Sequence, residues 1–155
     1  MASKVLAKNV KVALGSGKPE TAMSGVAAYP ASGSFVDVSG FEYVHILAHL
    51  GTLHASDTPV LTPKCSDAAN GTLDVIDSSL AHTCDVTNDD GLFVLWTIAV
   101  ENLPADHHFL SLATSGTLTN GSYIDVIFLL DGARDLPVSQ AAAALPSAHQ
   151  YEWVG

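Results

Sequence analysis

Positive charge is what this chain most lacks. Six lysines and arginines stand against 16 aspartates and glutamates, a net charge of −10. Such a surface repels phosphate backbones and anionic lipid, so nucleic-acid binding and peripheral membrane binding are both disfavoured. Long hydrophobic runs are missing as well. No stretch approaches the ~20 apolar residues of a membrane helix, and the opening MASKVLAKNVKVALG carries no sustained apolar segment of the secretory type. The expectation is a soluble protein outside the secretory pathway. Cysteine is scarce: Cys65 and Cys84 are too few for a disulfide framework or a closed zinc site. They could pair across neighbouring strands or stand as two buried thiols, and the residues leave both open. Catalytic signatures are absent too, with no G-x-S-x-G, no G-x-G-x-x-G and no phosphate loop.

What is present is apolar and β-rich. The chain is 48% hydrophobic and 14% charged over 155 residues, which fits one packed domain able to bury roughly 70% of its unfolded surface. FEYVHILAHLG sets Val44, Ile46, Ala48 and Leu50 on one face and Tyr43, His45, Leu47 and His49 on the other. SYIDVIFLLDG keeps Ile124, Val126, Phe128 and Leu130 in phase, and GLFVLWTIAVE is apolar at almost every position, the pattern of a central strand covered on both sides. GSFVDVSG and HFLSLATSG add shorter runs of the same kind, and KVLAKNVKVAL, PVLTPKCS and LDVID are weaker candidates. Between them, Asn70-Gly71 and Asn120-Gly121 suit two-residue hairpin turns, and TNDDG at 87–91 is a further turn. About eight strands at roughly ten-residue spacing, with no intervening helices, predict an all-β fold, an antiparallel β-sandwich or barrel of jelly-roll-like form with extended terminal arms.

Candidate chemistry is thin. His45 and His49 share a strand face, but four residues of extended chain span about 13 Å, too far for both to reach one zinc. His107 and His108 fall in the loop LPADHHF, where solvated positions are expected. Asp85, Asn88, Asp89 and Asp90 supply oxygens without the spacing or the downstream carboxylate of a calcium loop, and read as an acidic turn. Asp74 and Asp77, near Asp67, have nothing that raises them to a glycosidase carboxylate pair. The residues therefore predict no catalytic site, no metal and no cofactor.

Several segments together resemble the capsid decoration, or auxiliary head, proteins of tailed phages. They are VDVSGFEYVHILAHLG, KCSDAANGTLDVID, FLSLATSGTLTNGSYIDVIFLLDGAR and the closing ARDLPVSQ, covering roughly residues 33 to 140. The middle hairpin departs from that pattern in lacking a tryptophan, and the tail beyond Gln140 is longer. The resemblance implies a noncatalytic virion protein on the outer capsid surface, made in the host cytoplasm, a homotrimer whose partner is the major capsid protein and whose role is to stabilise the shell. The corresponding division is a single β-domain at 1–140, with its core at about 33–134, and a C-terminal arm at 141–155. Pro137 lacks an N–H and should stop the sheet ladder, while Tyr151 and Trp153 have the character of interface anchors, so the tail is expected to dock on a neighbouring subunit or on the capsid, the alternative being that it folds back on its own domain. Two other readings compete. One is a carbohydrate- or receptor-binding sandwich on a fibre or spike, with Tyr29, Trp96 and Trp153 as its available platforms. The other is a small cupin-type enzyme, for which the histidine spacing is wrong.

Overall fold

A computed structural model describes residues 9–18, 20–119 and 121–134. The strands are β1 (Lys11–Leu14), β2 (Thr21–Ala22), β3 (Ala28–Tyr29), β4 (Val36–Asp37), β5 (Tyr43–Leu50), β6 (Thr58–Ser66), β7 (Asp74–Val75), β8 (His82–Thr83), β9 (Phe93–Ala99), β10 (Phe109–Thr117) and β11 (Tyr123–Asp131). They form two antiparallel sheets. Sheet I runs β1-β11-β5-β9, with β2 beside β1 on the edge of β11; sheet II runs β3-β10-β6-β7, with β4 also on β10 and β8 also on β6. The β-structure thus begins well ahead of residue 33, because β1 pairs along β11 from Lys11 to Leu14.

Counting each broken edge as one unit makes the path plain. The first unit (β1 with β2) pairs with the last (β11), the second (β3 with β4) with β10, the third (β5) with β9, and the fourth (β6) with the fifth (β7 with β8). The chain is one long hairpin rolled into two sheets, the jelly-roll path, and a sandwich instead of a closed barrel.

Alternation decides which residues are inside. Val44, Ile46, Ala48 and Leu50 on β5 face Ile124, Val126, Phe128 and Leu130 on β11, and all eight are completely buried. Leu61 and Cys65 of β6, with Leu110 and Leu112 of β10, close the core from sheet II. Each large side chain buried this way contributes on the order of 1.5–3 kcal/mol.

Three expectations are corrected. The stretch read as a central strand, β9, is an edge strand paired with β5 alone. Its inner residues Trp96 and Ile98 are buried, but Phe93 and Leu95 stand 64% and 60% exposed on the outer side. Asn70-Gly71 is not a two-residue hairpin. Residues 67–73 separate β6 from β7, and Gly71 does not take the positive φ that such a turn needs. Asn120-Gly121 does not join a hairpin either: the strands on its two sides, β10 and β11, belong to sheet II and sheet I. Gly121, with φ +95°, supplies the left-handed residue of that crossing.

Two phenylalanines test the placement of β9. Phe128→Ala should cost about 3–5 kcal/mol in urea unfolding, as a fully buried ring does, whereas Phe93→Ala should stay within about 1 kcal/mol. A loss at Phe93 equal to that at Phe128 would mean that β9 is covered on both faces.

Candidate functional site

The two sheets differ in what they show to the outside. On sheet II the outward positions of β6 and β10 are mixed: Val60, Thr62 and Lys64 stand against Ser115, Ala113 and Ser111, with Phe109 next in line, and Ser111 is sealed from solvent with its hydroxyl donating to the Pro30 carbonyl. On sheet I the middle of the face is apolar. The register lines up Leu95, Leu47, Ile127 and Leu14 in one row across all four strands. The next row is Thr97, His45, Leu129 and Val12. The row on the other side is Phe93, His49 and Asp125. Tyr43, at 44% exposure, and Tyr123, at 36%, stand at opposite ends of the face. With strands about 4.8 Å apart and a rise of about 3.4 Å per residue, the face measures on the order of 20 Å by 24 Å, the footprint of a small protein interface.

The polar groups on this face are held. His45 Nδ1 lies 3.0 Å from the Thr97 hydroxyl. The His49 ring stacks on Phe93 with centroids 4.5 Å apart, and its Nδ1 is 3.5 Å from Asp125 Oδ2. Asp125 Oδ1 accepts the Glu20 N–H. The two histidines thus share the outer face as their spacing requires, each tied to a different neighbour. Acidic side chains surround the face: Asp89 and Asp90 precede β9, Glu101 follows it, Glu42 precedes β5, and Asp131 ends β11. Beside Tyr43 opens a cavity of about 540 Å³ lined by Phe41, Glu42, Val100, Glu101, Leu103 and Arg134.

The remaining candidates are structural. His107 Nδ1 lies 2.9 Å from the Ala105 carbonyl and Nε2 lies 3.1 Å from Asp74; the carbonyl first, then the carboxylate, raises its pKa. It is a strap on the loop and not a free solvated residue. Asp85 accepts the Thr87 and Asn88 N–H groups and the Asn88 side-chain amide, which lowers its pKa. Asp77 caps the turn at Ser78–Leu80 by accepting the Ser79 N–H. Both cysteines are buried and unpaired. Burial raises the Cys65 thiol and pushes that of Cys84 up to about 12, with Asp89 adding to the second effect, so both stay protonated at neutral pH. Among the described residues no three His, Cys, Asp or Glu side chains gather as metal ligands.

Two aromatic platforms of the carbohydrate reading are inside the domain. Tyr29 is 2% exposed, donates to the Ala22 carbonyl at 3.0 Å and has its pKa pushed up to about 12 by burial. Trp96 is 7% exposed and donates from Nε1 to the Leu80 carbonyl at 2.8 Å. Pro137, Tyr151, Trp153 and the 141–155 arm lie outside the described residues. Among the described residues the exposed aromatics are instead Phe93, Tyr43 and Tyr123. Alternation along β5 and β11 could have pointed to the two tyrosines, but no local signal marks Phe93. No protein-family model, curated protein or solved structure matches the chain.

One buried carboxylate resembles a reactive group until its bonds are counted. Asp57, 2% exposed, accepts the Ser122 hydroxyl at 2.6 Å on Oδ2, and the Thr119 N–H and hydroxyl at 2.9 and 2.6 Å on Oδ1. Those bonds, the Ser122 hydroxyl first, lower its pKa to about 2 and fasten the β10–β11 crossing to the turn before β6. Its folded pKa lies below the ordinary 3.8, so this stability is present above about pH 4 and lost as pH falls through about 2. Asp57→Asn should therefore lower the urea midpoint at pH 7, and the gap from wild type should close between about pH 4 and pH 2. A gap of constant size over that window would show that the anion is not what holds the crossing.

Proposed function

We propose that this domain is a noncatalytic docking module that binds a protein partner through the outer face of sheet I, and that the partner is the subunit of a phage capsid shell. The observation that carries the docking reading is the apolar row Leu95, Leu47, Ile127 and Leu14, flanked by Phe93. Contiguous apolar surface with a polar rim is the anatomy of a binding site, whereas scattered apolar residues are ordinary. The acidic rim and the net charge of −10 favour a partner with basic groups around an apolar centre. The capsid half of the reading rests on the resemblance of residues 33 to 140. In this reading the protein decorates the outside of the shell and bridges its subunits. A trimer, which the same resemblance implies, is then built away from this face, because two acidic rims brought together repel.

Sedimentation with empty phage shells tests it. Leu14→Asp and Leu95→Asp place a charge at opposite ends of the apolar row, on exposed positions that leave the core untouched. Each is expected to weaken shell binding at least ~10-fold, about 1.4 kcal/mol. Shells that take up wild type and both variants alike would move the docking surface elsewhere, and shells that take up none would remove the capsid partner.

A further inference from the structure

Among the described residues the two sheets end in four strand units, and these are not alike. Three consist of short pieces: β1 and β2, β3 and β4, and β7 and β8, none longer than four residues. Short, interrupted strands are a usual protection against pairing with another chain. The fourth edge is β9, an unbroken run of seven residues, Phe93–Ala99, with no charge, proline or glycine in FVLWTIA. Its register with β5 holds without a bulge from Tyr43↔Ala99 to His49↔Phe93.

Hydrogen-bond parity fixes which backbone groups it leaves open. Leu50 N–H donates to the Leu92 carbonyl and Val100 N–H to the Glu42 carbonyl, both at 2.8 Å, at the two ends of that register. In an antiparallel ladder, bonded pairs alternate with non-bonded ones. Val94, Trp96 and Ile98 therefore turn their N–H and C=O groups to β5, and Phe93, Leu95 and Thr97 turn theirs to the free side. These three residues also present their side chains on the apolar outer face.

We infer that β9 is a strand-addition site: an extended segment of the partner protein, with basic residues at both of its ends, pairs with the backbone of Phe93, Leu95 and Thr97 and extends sheet I by one strand. The inference rests on the docking reading above and names how the partner engages. Charge selects the partner. Asp89 and Asp90 lie at one end of β9, the first beside His82 and the second accepting the Leu53 N–H, and Glu101 lies at the other, so the net acidic ends favour basic flanks whichever direction the incoming strand runs. A second copy fits poorly, since antiparallel pairing of two β9 strands sets Asp89 and Asp90 of one against Glu101 of the other.

The probe is the peptide Lys-Lys-Thr-Val-Thr-Val-Thr-Lys-Lys, with a counterpart carrying glutamate in place of lysine, added to the full ¹⁵N-labelled chain. In the free protein the Phe93, Leu95 and Thr97 amides should exchange with solvent at least ~100-fold faster than those of Val94, Trp96 and Ile98. The lysine peptide should slow the first set at least ~10-fold and leave the second set unchanged. The glutamate peptide should bind at least ~10-fold more weakly at low salt, a difference that added salt shrinks. Leu95→Pro and Thr97→Pro each remove an outward N–H, a position where an edge strand tolerates proline, and should cut peptide binding at least ~10-fold. Should neither variant fold, the exchange pattern of the wild-type chain still decides. The inference is overturned by equal binding of the two peptides, by binding without slowed exchange, or by slow exchange in the free protein that depends on its concentration, which would put a second copy on the edge. Full shell binding by the proline variants would keep the docking face and remove strand addition. Slowed exchange with the lysine peptide, but no binding to shells, would keep the edge site and remove the capsid partner.

Discussion

The contact between β5 and β11 constrains the rest of the molecule. Eight side chains on these two strands, Val44 to Leu50 and Ile124 to Leu130 at every second position, are sealed from solvent, and their pairing register runs unbroken from Ile124↔Leu50 to Asp131↔Tyr43. A slip of one residue would turn that whole set outward, so the register is held by the core itself. Once it is held, the outer residues have no freedom of placement. His45, Leu47 and His49 must share a face with Asp125, Ile127 and Leu129, whatever that face is for. Sheet I's apolar exterior is therefore set by a choice of residues and not by a choice of fold, and sheet II, built with the same path, shows Thr62 and Lys64 instead.

The rolled connectivity explains why the edges carry so much of the interest. Rolling a long hairpin leaves its first unit and its midpoint at sheet edges, and here those units are broken into strands of two to four residues. The exception is β9, which must run the full length of β5 because Trp96 and Ile98 complete the core from that side. Interrupting β9 would cost buried apolar area; leaving it whole keeps a free ladder of backbone groups beside exposed Phe93 and Leu95. Stability of the sandwich and availability of the edge thus have one origin.

How much of this was legible depended on whether the signal was local. Period-two alternation gave β5 and β11 their strand identity and their buried faces, and it separated His45 from His49 as joint metal ligands. The same rule misread β9, because FVLWTIA is apolar at nearly every position. A strand buried on both faces and an edge strand with an apolar outer face share that pattern, and only long-range pairing with β5 separates them. The Asn-Gly pairs misled for a related reason. Turn chemistry reports a reversal or a crossing, but not whether the next strand returns to the same sheet, and in a rolled path β10 and β11 part into different sheets. Tyr29 carried no sign of its burial, since its place beside β10 is fixed by partners more than 80 residues away.

Electrostatics and hydrophobicity act on this surface at different ranges, and together they narrow what can bind it. Out to about 10 Å, the screening length at ordinary ionic strength, the acidic excess biases encounters towards basic surfaces and against another copy of the same chain. Within contact distance the middle row of the face carries no charge, and Asp125, in the row beside it, is held by the Glu20 N–H and lies 3.5 Å from His49. Desolvating Leu95, Leu47, Ile127 and Leu14 then supplies affinity without stranding an ion. A flat apolar face is by itself poorly selective. The adjoining edge corrects that, because backbone pairing along Phe93, Leu95 and Thr97 demands extended chain in register, a geometry that a detergent, a lipid or a folded helix cannot meet. Face and edge meet on the same three residues, so in the proposed strand addition one protein strand would engage both at once.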